Sequence, residues 1–237
     1  IFIILFSQLL YFRLKNSIFA FDNSEIRNMR KIIFIAFLAM LMIMPAAGQV
    51  VFGVRAGGAY SSLVQKVEGT YNAGARFGFS LAGLADIHLY KGLSLRPELA
   101  FTNQGGSFYS NPQVEGAKIS FSKCSYYSIQ VPVNLAYTFI INDVQLGVYA
   151  GPALDFSLFG KMKTENQNVD IHFGQTKEAD LKTFDLGVNV GLRVDYNRYF
   201  FSINALYGTL DRRAIEREGE SSLYQNNVTL SLGYMFR

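Results

Sequence analysis

Residues 184–196 read Phe-Asp-Leu-Gly-Val-Asn-Val-Gly-Leu-Arg-Val-Asp-Tyr. The even positions are Phe184, Leu186, Val188, Val190, Leu192, Val194 and Tyr196; the odd ones are Asp185, Gly187, Asn189, Gly191, Arg193 and Asp195. Successive side chains of a β-strand point to opposite faces. Folded as a strand, this stretch therefore has one wholly apolar face, and the other face carries three charges.

The same alternation recurs along the chain. Strands are expected over residues 51–61, 75–90, 93–104, 124–140, 143–160, 183–196, 199–208 and 223–236. No charged residue falls on the apolar side of any of them. The opposite sides hold nine: Arg55, Arg76, Asp86, Arg96, Glu98, Asp155, Asp185, Arg193 and Asp195. A soluble barrel or sandwich turns its apolar face inward, yet eight strands with five to seven large apolar groups each offer more apolar surface than one small barrel encloses. A lipid-facing surface excludes charge because a basic side chain at the bilayer midplane costs about 2–4 kcal/mol. The expected fold is all-β: an eight-stranded, antiparallel, up-and-down transmembrane β-barrel with lipid outside and a polar interior.

Connection lengths point the same way. Tight links near Lys91-Gly92, Asn142 and Asn197-Arg198 alternate with links of about 13 to 22 residues by these boundaries. Outer-membrane barrels combine short periplasmic turns with longer external loops, so both termini are expected in the periplasm. Tyr and Phe gather near the strand ends, where an amphipathic ring suits the headgroup zone. The run 228–236 ends on Phe236, as outer-membrane strands commonly do.

The N-terminal residues read as processing sequence. Met29-Arg30-Lys31 is a short basic region, residues 32–44 are apolar, and Pro45-Ala46-Ala47-Gly48 supplies small residues for cleavage before Gln49. The apolar run is shorter than the ~20 residues a spanning helix needs. The chain begins with Ile1, and residues 1–28 read as an upstream extension, with a second hydrophobic segment as the alternative. The expected organisation is thus 1–28 extension, 29–48 signal peptide and 49–237 barrel domain. The net charge of +4 is concentrated in the leader: residues 1–48 hold five Lys/Arg and two Asp/Glu, leaving 17 against 16. No basic stripe survives, and nucleic acid is not an expected partner. The lone Cys124 permits neither an intrachain disulfide nor a cysteine metal cluster.

The chain resembles the small porin-like, PorT-type outer-membrane β-barrel proteins of the Bacteroidetes. The resemblance is carried by Phe52-Gly53-Val54-Arg55-Ala56-Gly57, Leu93-Ser94-Leu95-Arg96-Pro97-Glu98-Leu99 and Ile129-Gln130-Val131-Pro132-Val133-Asn134-Leu135. Gly147-Val148-Tyr149-Ala150-Gly151-Pro152 and Leu230-Ser231-Leu232-Gly233-Tyr234-Met235-Phe236 complete it. It spans residues 50–237 and implies the fold and the outer membrane, but no single activity.

Chemistry-bearing groups are few. Asp86 and Arg96 flank the Lys91-Gly92 turn and are expected beside each other, near His88 and Glu98. Eight-stranded barrels are filled by side chains, so the nine inward charges are expected to pair and plug the interior; a narrow gated pore is the alternative. Catalysis would need a nucleophile, a base and an orienter. His88, expected inward, and His172, near Asp170 in a long loop, have no serine tied to them by a motif. Two ligands do not make a metal site. No catalytic residue, cofactor or metal is expected. The loop charges, including Lys161, Lys163, Asp211, Arg212 and Arg213, read as solvated or as a binding surface. Outer-membrane lipid is the expected partner, with a surface or envelope protein reached through the long loops. The expected role is structural or surface interaction with no open channel; the alternatives are a component of a secretion or transport assembly and a lipid-modifying barrel enzyme.

Overall fold

The alternating residues form strands that pair into a closed wall. The computed structural model describes residues 50–67, 70–110, 120–163, 168–174, 179–214 and 222–236. The segments read as an extension (1–28) and a signal peptide (29–48) lie outside the described residues. The strands are β1 (Val50–Val67), β2 (Thr70–Tyr90), β3 (Leu93–Ser110), β4 (Ser120–Ile141), β5 (Val144–Lys163), β6 (Asn168–Asp170), β7 (Phe184–Tyr196), β8 (Tyr199–Gly208) and β9 (Leu223–Met235). Eight of them run in the order β1-β2-β3-β4-β5-β7-β8-β9, and β9 pairs back onto β1, all antiparallel. The short β6 stands outside this wall and pairs with Lys161–Lys163 of β5.

The register fixes the barrel's dimensions. The partners Val50, Ile87, Leu95, Leu135, Ala150, Val190, Ala205, Val228 and Tyr60 lead once around the wall, returning to β1 ten residues beyond the start. Eight strands with that stagger tilt by about 40° from the axis and leave an interior that side chains can fill.

Three hairpin turns gather at one end with Val50 and Met235. Their first residues Lys91, Asn142 and Asn197 have φ of 49°, 54° and 55°. Asparagine tolerates this left-handed region better than most residues; Lys91 adopts it without that advantage. At the opposite end the structure departs from the sequence expectation. Two of the long links expected between strands are shortened by strand: β1 and β2 stay paired as far as Val67↔Thr70, and β3 and β4 as far as Ser110↔Ser120. The reason is that apolar-out, polar-in alternation marks a strand only where lipid touches it. Backbone pairing continues past that zone without the pattern.

The outer face is apolar, with Phe77 80%, Leu232 70% and Leu99 61% exposed. Two aromatic girdles bound it. At the turn end, Tyr199 and Phe236 flank Tyr234 at 5.3 and 5.5 Å between ring centroids, and Tyr137 lies 4.8 Å from Phe139. At the loop end, Tyr127 meets Phe101 at 5.4 Å and Phe159 at 4.9 Å, and Tyr60 meets Phe77 at 5.0 Å. Tyr127 and Tyr137 are ten residues apart on β4. At ~3.3 Å per residue and ~40° tilt that is roughly 25 Å, the height of an outer-membrane apolar band.

Candidate functional site

Arg55 on β1 and Glu98 on β3 are buried inside the wall, with Arg55 Nε 2.9 Å from Glu98 Oε2. A second Arg55 nitrogen, Nη1, donates to Ser231 Oγ at 3.1 Å. Toward the turns, Arg96 Nε donates to Asp86 Oδ2 at 2.7 Å, across the hairpin that separates them. Arg193 donates through Nε to Asp195 Oδ2 at 2.8 Å and through Nη2 to Oδ1, two residues along the same face of β7. Its guanidinium carbon lies 4.1 Å from the centre of the Phe200 ring. Polar groups fill the space between: Tyr149 Oη donates to Asn204 Oδ1 at 2.7 Å, and Asn189 Nδ2 to Asn134 Oδ1 at 2.9 Å. An apolar cluster of Leu84, Phe200 and Met235 lies below them at the turn end.

The remaining three of the nine sequence-derived charges lie toward the loops. Arg76 is partly buried and donates to the Gln104 carbonyl at 3.0 Å. Asp155 on β5 and Asp185 on β7 are register partners, so two carboxylates face inward side by side. Like charges directly opposite on neighbouring strands are destabilising. Asp155 Oδ2 accepts from Gln104 Nε2 at 2.7 Å and from Gln130 Nε2 at 2.8 Å, and Asp185 Oδ1 accepts from the Leu210 amide at 3.3 Å.

The buried cation that acts on this pair is Arg212, which the sequence reading left in a loop; it works through space, its guanidinium bonding to Ser157 rather than to either carboxylate. The nine residues comprise four arginines and five carboxylates, one negative charge in excess; Arg212 supplies the fifth positive charge. It is 1% exposed, and its Nη2 donates to Ser157 Oγ at 2.6 Å. Burial alone would lower its pKa, but Tyr126 and the carboxylates of Asp155 and Asp185 outweigh that and hold the guanidinium above the ordinary arginine value. Its backbone is pinned on both sides. The Arg212 amide donates to the Leu223 carbonyl at 2.7 Å, and its carbonyl accepts from the Lys182 amide at 2.8 Å. Asp211 Oδ1 accepts from the amides of Arg213 and Leu223 at 3.1 and 2.9 Å, turning the chain so that Arg212 enters the barrel. The sequence signal that could have found it is the facing pair of aspartates, which demands a cation.

The mouth is apolar on the inside. Leu63, Cys124, Tyr126 and Leu223 from the strands pack with Ile171 and Leu181 from the connection between β6 and β7. Here the alternation is inverted, with apolar groups inward and the exposed Lys123, Lys161 and Lys163 outward. The described parts of these loops are therefore not simply solvated: an isolated bridge joins Leu181 to Arg213 across the mouth.

Of the two histidines, His172 corrects the sequence reading. His88 keeps the inward register, opposite the buried Ser94, but lies at the turn end of the barrel and is exposed. His172 is exposed and meets Asp180 rather than Asp170, with Nδ1 3.6 Å from Asp180 Oδ2. Asp180 folds back within the same connection, whereas Asp170 closes the β5–β6 ladder opposite Lys161.

A closed antiparallel barrel with an apolar belt, two aromatic girdles and a charged, side-chain-filled interior defines a transmembrane β-barrel. The chain belongs to the outer membrane protein beta-barrel domain family, which it matches over residues 44–209, and its place is the outer membrane. No curated protein matches it in sequence. Among solved structures it is similar to Ail, the attachment invasion locus protein of Yersinia pestis, at 16% identity and a TM-score of 0.42, covering 80% of this chain and 99% of that one. It is similar to Neisserial surface protein A at 14% identity and a TM-score of 0.44, covering 78% and 97%. A major outer membrane protein from Thermus thermophilus is similar at 14% identity and a TM-score of 0.44, covering 79% and 99%.

Proposed function

We propose that this chain is a non-enzymatic, plugged outer-membrane barrel that serves as an anchor, with its extended hairpins and loops forming a surface for an envelope or cell-surface partner. The observation that carries this reading is the buried Arg212, stitched into the mouth by both neighbouring connections. A barrel that holds three interior ion pairs and is capped by apolar clusters at both ends has little room for flow, so its working surface is the loops. Within the family, the motifs quoted above favour a PorT-type member. Residues 29–48 act as its signal peptide, and the turn end with both termini faces the periplasm.

The test has two arms. In planar bilayers, neither the wild type nor Arg96→Ala passes stepwise current; sustained current from the wild type would refute the plugged barrel and favour the transport reading. In intact cells, single cysteines placed at Lys161 or Lys163 react with a membrane-impermeant maleimide in a Cys124→Ser background, whereas one at Lys91 reacts only after the envelope is opened. The reverse pattern would overturn the orientation.

A further inference from the structure

The outer wall carries a second feature that the plugged interior does not explain. A groove of about 540 Å³ runs between β4, β5, β7 and β8 on the lipid side, within the usual range for ligand sites. Its floor comes from a dip in one register row, Leu135↔Ala150↔Val190↔Ala205, where outward alanines stand beside larger neighbours. Leu135, Val148, Leu192 and Ile203 form its walls, and among the described residues no charged one lines it. It reaches the turn-end girdle at Tyr137, and Tyr137 also lines a second hollow of about 870 Å³ at the rim. Among the described residues, Lys91 is the only charged one lining that second hollow. Its ammonium lies 5.0 Å from the centre of the Tyr90 ring, at the tip of the β2–β3 turn. Asp143, in the turn between β4 and β5, lines a different hollow with Asp195 and Arg198.

We infer that this wall is a binding site for one anionic phospholipid of the turn-end leaflet, with an acyl chain in the groove and the headgroup phosphate at Lys91. The groove lies between the aromatic girdles, at the level of hydrocarbon, which selects an acyl chain as its occupant. The single cation at its rim is complementary to a phosphate. A lysine near a membrane surface favours an anionic lipid by about fivefold. The site is independent of what the loops bind.

The chain contains no tryptophan, so one introduced indole reports on one place. Phe201→Trp puts the reporter beside the groove on β8, and Phe52→Trp puts it on the far wall on β1; both positions are lipid-exposed phenylalanines. Each variant is refolded into vesicles containing brominated phosphatidylglycerol or brominated phosphatidylcholine, and quenching is compared. At Phe201→Trp, phosphatidylglycerol is expected to associate about fivefold more tightly than phosphatidylcholine, and at Phe52→Trp about equally. Adding Lys91→Gln, or Ala150→Leu with Ala205→Leu, brings the groove reporter to parity. Equal preference at the two reporters, or a preference that survives Lys91→Gln, overturns the inference. A groove reporter shielded from both lipids while Phe52→Trp is quenched means that a second copy covers the wall, which also overturns it. Quenching at neither reporter contradicts the membrane insertion itself.

Discussion

Replacing Arg212 with Met keeps an unbranched side chain in the barrel mouth but removes the charge that faces Asp155 and Asp185. These two residues are register partners on β5 and β7, and opposed residues on neighbouring strands have Cβ atoms about 4.5–5.5 Å apart. Two carboxylates about 5 Å apart repel by roughly 3 kcal/mol at an effective dielectric constant of 20. That agrees with the 3–5 kcal/mol typical of buried charges that lose one partner. The hydrogen bonds from Gln104 and Gln130 to Asp155 survive the change, so the expected loss is at the lower end, about 3 kcal/mol. Urea unfolding from phospholipid vesicles, followed by circular dichroism and extrapolated linearly to zero denaturant, measures it. Adding Asp185→Asn to Arg212→Met removes the repulsion and is expected to restore at least half of the loss. The coupling between the two substitutions then exceeds about 1.5 kcal/mol, within the range for groups in one network. A loss below about 0.5 kcal/mol, or no rescue by Asp185→Asn, would refute the assignment of Arg212 as the counter-charge.

Three further perturbations probe the wall and the interior by the same unfolding measurement. Arg55→Met alone leaves Glu98 buried without its cation and is expected to cost about 3–5 kcal/mol, whereas Arg55→Met with Glu98→Leu recovers most of it. Gly191→Ala places a methyl group against Tyr149 Cζ and 2.5 Å from Tyr149 Oη, so the ring must leave Asn204. The expected cost is about 1–3 kcal/mol, partly recovered by Tyr149→Leu. Leu230→Arg, in the middle of the exposed belt, is expected to cost about 2–4 kcal/mol, but Val144→Arg at the turn-end rim at most about 1 kcal/mol. Equal costs at the two positions would contradict the placement of the bilayer.

The amino-acid sequence by itself determined the wall. Lipid imposes a strict rule on every outward side chain, and Phe184–Tyr196 obeys it so regularly that strand, face and inward charge can be read residue by residue. The tight turns were legible for a similar reason, because Asn142 and Asn197 suit a left-handed backbone. Tertiary structure decided what happens where that rule stops. Past the loop-end girdle, Leu63 and Tyr126 point inward and Lys161 and Lys163 point to solvent, an inversion that made extended strands look like loops. Arg212 was missed because nothing local distinguishes it from Arg213 beside it. Its role arises only when closure of the barrel sets Asp155 against Asp185, and two distant connections carry a cation to the charge they share.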